Sequence, residues 1–497
     1  MGEIGPTGPA GPTGPAGPTP VGACYSDYLF WNTTGATWAV GSTEVHLGCN
    51  AGLSAQATNA VAIGYYAGNS AQGTLAVAVG AQAGRATQAS LAVAIGYQAA
   101  QTVQGANAVA VGASAGTGTQ GSGAVAVGYQ AAQTLQGANA VAVGASAGRS
   151  TQATNAIAIG NQAGQSTQGA SAIAIGNIAG QTAQSIVAIA IGSAAGQLTQ
   201  GASAVAVGYQ AGQYLQGGNA VAVGSSAGQF TQGDAAVAIG NQAGVIQAGN
   251  AIAIGNTAGR NTQGASAIAI GNQAGQSTQG ANAIAVGTGA GQTAQTASAI
   301  AIGNAAGQIT QSQFAVAVGY QAGQYIQGGF AVAIGSSAGQ FTQGGAAVAI
   351  GNQAGVFQGG NAIAIGNTAG RNSQGDNAVA IGNVAGQTQG INAVAIGNAA
   401  GQSTQGASAV AIGNQAGQST QGGNAIAIGN QAGLSGQVTG AIAIGYAAGA
   451  FGLTAGSTQG QKQTRLLLEW GQEQLHRNRS PLLSALLLEV ETNEAAA

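Results

Sequence analysis

The chain has 497 residues, of which 91 are glycine and seven are proline, and it carries only eight basic and ten acidic residues. A formal net charge of −2 leaves neither a basic surface for nucleic acid nor a cationic face for a membrane. Large side chains are scarce, so the composition predicts a regular stack of small residues instead of an ordinary mixed core.

The N-terminal segment, residues 1–19, is collagen-like. Glycine occupies every third position from Gly2 to Gly17, and proline follows it in five of these six triplets. Because only glycine fits at the axis of a collagen triple helix, the segment predicts a collagen-like stem and a homotrimer. The alternative is a disordered leader rich in proline and glycine.

Residues 20–47 are rich in aromatic side chains, including Tyr28, Phe30, Trp31 and Trp38. Stacked repeats expose an apolar end that needs an atypical covering segment. We therefore predict that this segment is a neck or N-terminal cap.

Residues 48–460 repeat the pattern AVAIG-x-x-AG-x-x-x-QG. The last glycine of AVAIG, here called the anchor glycine, recurs from Gly48 to Gly445 in steps of 16, with three steps of 15. This spacing predicts about 26 turns. The sequence around Tyr209 and Tyr214 recurs around Tyr320 and Tyr325, which indicates a tandem duplication of seven turns.

Within AVAIG, β-branched residues alternate with alanine, and neither set carries a charge. This alternation is typical of a strand buried on both faces by parallel stacking. We expect Val and Ile to fill each coil and the flat alanine face to approach another sheet or chain. The predicted fold class is all-β: a parallel β-solenoid or β-roll with a collagen-like N-terminal segment and a short α-helical tail.

Every turn also contains one glutamine at a fixed place. Identical amides stacked at the strand repeat can hydrogen-bond to one another along the axis. The column that includes Gln72, Gln168, Gln279 and Gln405 is therefore predicted to be a structural ladder.

The tail, residues 461–497, departs from the repeat. Leu466, Leu467, Leu468 and Trp470 indicate an amphipathic helix, and Ser480-Pro481 is typical of the start of a second helix. These helices would cap the repeats or dock on a partner; the alternative is a poorly ordered appendage.

The segments Asn-Ala-Val-Ala-Ile-Gly at 59–64 and 377–382 resemble the NSVAIG-type head repeats of trimeric autotransporter adhesins. The resemblance implies a left-handed parallel β-roll assembled as a homotrimer. Collagen-like triplets joined to such repeats also look like fibre or surface proteins of large DNA viruses. With no signal peptide and no membrane-spanning segment in the sequence, we expect a virion-surface or extracellular fibre without membrane insertion.

The sequence offers little for catalysis, and we expect no enzyme, no cofactor and no metal site. Its two histidines and scattered acids form no acid–base pair and no triad. Cys24 and Cys49 are the only cysteines, and they form either a disulfide that fixes the cap or two free thiols.

Aromatic residues mark several predicted corners and are candidates for contact with a host glycan or receptor; corner packing is the alternative. These residues are Tyr209, Tyr214, Phe230, Tyr320, Tyr325 and Phe341.

The predicted function is that of a structural fibre or spike, a homotrimer with an adhesive role. Two alternatives stay open. One is a subunit of an extended filament. The other is an ice- or surface-binding solenoid, based on the threonines that precede the ladder glutamine, such as Thr167 and Thr199.

Overall fold

The computed structural model describes residues 22, 27–32, 35–450 and 466–468. The chain divides into an N-terminal unit, Met1–Ala305, and a C-terminal unit, Ala306–Ala497. Both units are parallel β-solenoids, and together they contain about 25 turns of the repeat seen in the sequence. The predicted collagen-like stem, Cys24 and the predicted second C-terminal helix lie outside the described residues.

The N-terminal unit opens with an antiparallel hairpin of strands Leu29–Asn32 and Thr37–Val40. Coils follow, each with a long strand of three residues and most with a short strand of two. The long strands are Val45–Leu47, Val61–Ile63, Val77–Val79, Val93–Ile95, Val109–Val111, Val125–Val127, Val141–Val143, Ile157–Ile159, Ile173–Ile175, Ile189–Ile191, Val205–Val207, Val221–Val223, Val237–Ile239, Ile252–Ile254, Ile268–Ile270, Ile284–Val286 and Ile300–Ile302.

The short strands of this unit are Ala71–Gln72, Thr87–Gln88, Val103–Gln104, Thr119–Gln120, Leu135–Gln136, Thr151–Gln152, Thr167–Gln168, Ala183–Gln184, Thr199–Gln200, Leu215–Gln216, Thr231–Gln232, Ile246–Gln247, Thr262–Gln263, Thr278–Gln279 and Ala294–Gln295. Long strands pair in parallel with long strands, and short strands pair with short strands. The register places each residue beside its equivalent in the next coil, as Val141 beside Ile157 and Gln152 beside Gln168.

The C-terminal unit has the same coil. Its long strands are Val316–Val318, Val332–Ile334, Val348–Ile350, Ile363–Ile365, Val379–Ile381, Val394–Ile396, Val410–Ile412, Ile426–Ile428 and Ile442–Ile444. Its short strands are Thr310–Gln311, Ile326–Gln327, Thr342–Gln343, Phe357–Gln358, Ser373–Gln374, Thr388–Gln389, Thr404–Gln405 and Thr420–Gln421.

The last strand of this unit is Leu466–Leu468, which pairs in parallel with Ile442–Ile444. The prediction of a helix was wrong for these three residues, because their apolar side chains are compatible with either structure and the backbone extends the long sheet. The rest of the predicted helix lies outside the described residues.

Each coil turns at positions where the backbone is left-handed. In the coil that starts at Val141 these are four residues, with φ values of 132° at Gly144, 56° at Ser146, 54° at Gly148 and 60° at Asn155. Asparagine tolerates this conformation better than most residues, which explains its frequent occurrence before the core strand.

Two features require glycine at the anchor position: its backbone conformation and the lack of space for a side chain. Gly128 has φ of 130°, and a Cβ built on it would lie 2.6 Å from the carbonyl oxygen of Gly144 in the next coil. A side chain would therefore prevent the coils from stacking at the strand spacing of about 4.8 Å.

The prediction that Val and Ile fill the coil, with alanine facing outward, was wrong. In the coil of Val141–Val143 the interior consists of Ala140, Ala142, Ala147 and Gln152, all fully buried, whereas the β-branched side chains of the long strand point outward. The reason is the thinness of the coil. A Cβ built on Gly148 would lie 3.3 Å from the Ala142 methyl group, so a larger side chain at Ala142 has no space.

Candidate interaction surfaces

The interior glutamines link both the walls of a coil and successive coils. The Gln152 amide donates to the carbonyl oxygens of Val141, at 2.7 Å, and Ala156, at 3.2 Å, and also to Oε1 of Gln168, at 3.1 Å. The Ala156 carbonyl oxygen also accepts from the main-chain nitrogen of Val141, at 2.8 Å, so the glutamine amide adds a second hydrogen bond to a main-chain acceptor inside the coil. Glutamine thus has a side chain long enough to cross the interior of the coil and an amide that forms hydrogen bonds there.

The four glutamines predicted to be ladder members all lie in this buried column. Gln72 donates to Gln88 at 3.2 Å, Gln279 to Gln295 at 3.1 Å and Gln405 to Gln421 at 3.1 Å. Gln168 accepts from Gln152, but it donates only to main-chain carbonyls, and Oε1 of Gln184 in the next coil has no donor. The amide ladder is therefore interrupted there.

The outer face of the long sheet is aliphatic. Each long strand places two side chains on it, almost all Val or Ile, and many remain well exposed, such as Ile159 at 38% and Ile239 at 39%. No charged residue occupies these positions in any described long strand. Extended apolar patches of this kind mark association surfaces on soluble proteins.

The outer face of the short sheet differs, because a two-residue strand provides only one outward side chain. In many coils this residue is an exposed threonine, as at Thr87, Thr119, Thr151, Thr167 and Thr199. The resulting threonine column has one outward side chain per coil and contains no Thr-x-Thr pair.

A second outward column lies at the sixth position after the anchor glycine and is here called the sixth-position column. It holds small residues, mainly Ser, Thr, Ala or Asn, in most coils and becomes apolar in one block of each unit. These blocks are Leu198, Tyr214 and Phe230, extended by Ile246, and Ile309, Tyr325 and Phe341, extended by Phe357. Ile246 and Phe357 belong to shortened coils and lie in the short strands, paired with Thr231 and Thr342.

The aromatic residues of these blocks stack on one another. The ring centroids of Tyr214 and Phe230 lie 5.3 Å apart, those of Tyr325 and Phe341 5.1 Å, and those of Phe341 and Phe357 5.0 Å, with interplanar angles of 24°, 15° and 9°. Ring faces inside a stack are covered by neighbouring rings, so mainly ring edges meet solvent. This arrangement favours contact between coils over stacking on a sugar.

Tyr209 and Tyr320, the other two predicted contact residues, lie directly after an anchor glycine and not in the sixth-position column. Both are exposed, and no ring contact joins either to another aromatic residue in the described part of the chain. The structure therefore brings together Tyr214 with Phe230 and Tyr325 with Phe341, and separates Tyr209 and Tyr320 from them.

The sequence analysis missed Phe357 and the stacked pair Phe314 and Phe330, whose centroids are 5.1 Å apart. The repeat spacing would have found Phe314 and Phe330, which are equivalent residues of adjacent coils. Phe357 is different, because the shortened coil places it in a short strand, paired with Thr342, while its ring still stacks on Phe341. Phe330 is the most exposed of the large apolar side chains in the described ranges, at 66%.

Aromatic residues at the start of the N-terminal hairpin contact the first coil. The Tyr28 hydroxyl accepts from the His46 main-chain nitrogen at 2.5 Å and donates to the Glu44 carbonyl oxygen at 2.9 Å. The Phe30 and His46 rings are in contact, with centroids 5.3 Å apart. Burial raises the pKa of Tyr28, whereas the Ser42 hydroxyl, which donates to the Glu44 carboxylate, lowers the pKa of that acid.

His46 occupies the centre of the first long strand, where later coils have alanine. Cys49 is exposed, and because Cys24 lies outside the described residues, a disulfide between them stays a prediction. In the described ranges, no three His, Cys, Asp or Glu side chains are grouped so that they could hold a metal ion. No helix in the same ranges has the length and hydropathy to cross a membrane.

No protein-family model, no curated protein and no solved structure matches this chain. The likeness to adhesin heads and to viral fibre proteins therefore rests on the sequence motifs alone.

Proposed function

We propose that this protein is a structural fibre protein whose chains associate laterally as a homotrimer through the outer Val/Ile face of the long sheet. The observation that carries the proposal is that face. It is aliphatic in coil after coil and free of charge, and nothing in the described part of the same chain covers it. The proposed location is a virion surface or an extracellular fibre.

The size of the face supports a stable association. In the N-terminal unit, 17 long strands form one outward strip. At a strand spacing of about 4.8 Å, the strip is about 80 Å long, and two side chains make it roughly 10 Å wide. The resulting area of about 800 Å² equals what each partner typically contributes to a stable interface.

The burial of the alanines assigns the contact between chains to the Val/Ile face, and not to the alanine face expected from the sequence. Because Ala142 and its equivalents lie inside the coil, the alanine face is not available to another chain. The collagen-like triplets of residues 1–19 provide separate support for three chains, since a collagen helix requires three.

The proposal is tested by measuring the mass of the purified protein by light scattering. The expected value is about 141 kDa, three times the chain mass of 46.9 kDa. We expect Ile159→Lys, Ile191→Lys and Ile239→Lys in combination to dissociate the trimer, because lysines there would be buried without partners.

The matched control places lysines on the opposite sheet: Thr151→Lys, Thr199→Lys and Thr231→Lys. These residues are exposed and belong to the same unit, so the control should keep the trimer mass. A wild-type protein with the mass of one chain, or an isoleucine variant that stays trimeric, would contradict the proposal. Masses that rise with concentration without limit would favour the filament.

A further inference from the structure

A row of tyrosines lies at a second corner of the coil. The residue directly after each anchor glycine is here called the first position. After Cys49, the next six coils alternate Tyr and Ala at this position: Tyr65, Ala81, Tyr97, Ala113, Tyr129 and Ala145. Tyr65, Tyr97 and Tyr129 are 52%, 54% and 59% exposed. The three are here called the tyrosine row.

The spacing of the row differs from that of the aromatic stacks. Successive members of the row are two coils apart, so their rings repeat at about 9.6 Å, twice the strand spacing. Small alanines occupy the coil between, and no ring contact joins Tyr97 to Tyr65 or Tyr129 in the described part of the chain. The rings of the row therefore do not cover one another, unlike those of Tyr325 and Phe341.

The surroundings of the row are polar and nearly free of charge. No first-position residue in the described coils is charged. Beside the row, the half-buried amides of Gln82, Gln98 and Gln101 form hydrogen bonds with one another. A neutral ligand with many hydroxyl groups fits this surface better than an ionic one.

The N-terminal end of the row differs from its middle. The Tyr65 ring has an edge contact with Tyr66, with centroids 4.4 Å apart, and the Arg85 guanidinium lies 5.7 Å from the Tyr66 centroid. Tyr97 and Tyr129 have no such neighbours among the described rings and cations. The variants that test the row therefore change Tyr97 and Tyr129.

We propose that Tyr65, Tyr97 and Tyr129 bind an extended, neutral, β-1,4-linked polysaccharide of the cellulose or chitin type, with every second pyranose ring against one tyrosine. Axial C–H groups of a pyranose carry partial positive charge and are attracted to the negative face of an aromatic ring. In such a polymer, alternate sugars present the same face, and the disaccharide repeat is close to two coils. The constant rise per coil therefore places the tyrosines at a spacing that matches the disaccharide repeat of the polymer.

The proposal is independent of the trimer, because the three tyrosines belong to one chain and one unit. It also explains why alanine separates the tyrosines. A ring in every coil, about 4.8 Å apart, would cover its neighbours' faces in the way that Phe341 and Phe357 do.

The test is depletion of the full-length protein from solution by insoluble cellulose and, separately, by chitin. Binding to one or both polymers is expected, and the stronger one identifies the sugar. Tyr97→Ala and Tyr129→Ala together should weaken binding at least tenfold, whereas Tyr97→Phe and Tyr129→Phe together should stay within about threefold. Alanine occupies the same column in neighbouring coils, so these variants should fold.

A register variant gives the sharpest control. Tyr97→Ala combined with Ala113→Tyr keeps the composition but moves one ring by a single coil, and it should bind as weakly as Tyr97→Ala alone. Tyr209→Ala removes a lone first-position tyrosine outside the row and should change nothing.

The proposal is overturned if the wild-type protein binds neither polymer, or if the register variant binds like the wild type. It is also overturned if the row variants change the mass measured by light scattering without any polymer binding, since the row would then be a contact between chains. A monomeric protein that still binds through the row would contradict only the trimer.

Discussion

The interior of the coil and its corners follow opposite rules. Inside, alanine at the centre of the long strand and glutamine in the short strand recur from coil to coil with almost no change. At the first and sixth positions, the chain changes among Ser, Asn, Ala, Tyr and Phe. An interior residue contacts its equivalents in both adjacent coils, whereas a corner side chain extends into solvent.

This contrast separates stability from recognition. In a repeat protein, stability arises within each repeat and at its nearest-neighbour interfaces, so interior columns cannot vary without weakening the stack. The corners can acquire a ring or a charge at little cost. The structure therefore allows new surface features to be added without altering the fold.

The largest expected effect is at an anchor glycine. We expect Gly128→Ala to destabilise the surrounding coils by about 4 kcal/mol, because the backbone there is almost exclusive to glycine and the new methyl group would collide with the next coil. Hydrogen exchange of the amides in those coils measures the loss as a lower free energy of local opening.

Gly218→Ala is the matched control in the same unit. A Cβ at Gly218 would meet only the Ala202 carbonyl oxygen at 3.6 Å and a side-chain oxygen of Asp234 at 3.9 Å, so its effect should stay within about 0.5 kcal/mol. Equal effects at the two glycines would show that the close approach of Gly128 to Gly144 does not limit stacking.

A smaller loss is expected inside the coil at the glutamine. Gln152→Leu keeps a similar volume but removes the donor from the carbonyl oxygens of Val141 and Ala156 and from Oε1 of Gln168. The Ala156 carbonyl oxygen keeps the main-chain N–H of Val141, whereas the buried Oε1 of Gln168 loses the Gln152 donor, and we expect a cost of about 2 kcal/mol. Hydrogen exchange in this coil and its two neighbours would measure it.

Gln133→Leu tests the same substitution at a corner. The Gln133 side chain is half-buried and accepts from the Arg149 side chain, so we expect a change below about 0.5 kcal/mol. If both leucine variants were equally stable, the interior amide ladder would be dispensable.

The period of the sequence was sufficient to predict the coil, its parallel register and the role of glycine. A constant repeat ending in AVAIG allows few other ways to stack, and each shortened repeat, such as Gly240 to Gly255, keeps its strand intact. The glutamine column was also visible, since one amide recurs at a constant distance from the anchor glycine.

The inward face of the strand was not predictable from hydrophobicity, because both sets of alternating residues are apolar. The thickness of the coil decides it, and that depends on a two-residue short strand and on the reach of glutamine. One signal was available: the central residue is alanine in every long strand from Val61–Ile63 to Ile442–Ile444, whereas the residues on either side of it exchange Val for Ile. Exchange of that kind indicates a surface without strict shape requirements.

The smallest expected effect concerns the stacked rings of the C-terminal unit. Phe341→Ser removes contacts with both Tyr325 and Phe357, and we expect a loss of about 1 kcal/mol in the local opening free energy of these coils. A double-mutant cycle with Phe357→Ser should show coupling of similar size, because the two rings lie 5.0 Å apart.

Tyr320→Ser is the control for this corner, since its exposed ring has no ring partner in the described coils and its loss should cost less than about 0.5 kcal/mol. Absence of coupling between Phe341 and Phe357 would mean that the stack does not stabilise the coils and that its apolar edge exists for a partner. Measured coupling would instead show that closely spaced rings support the solenoid, which leaves recognition to rings spaced two coils apart.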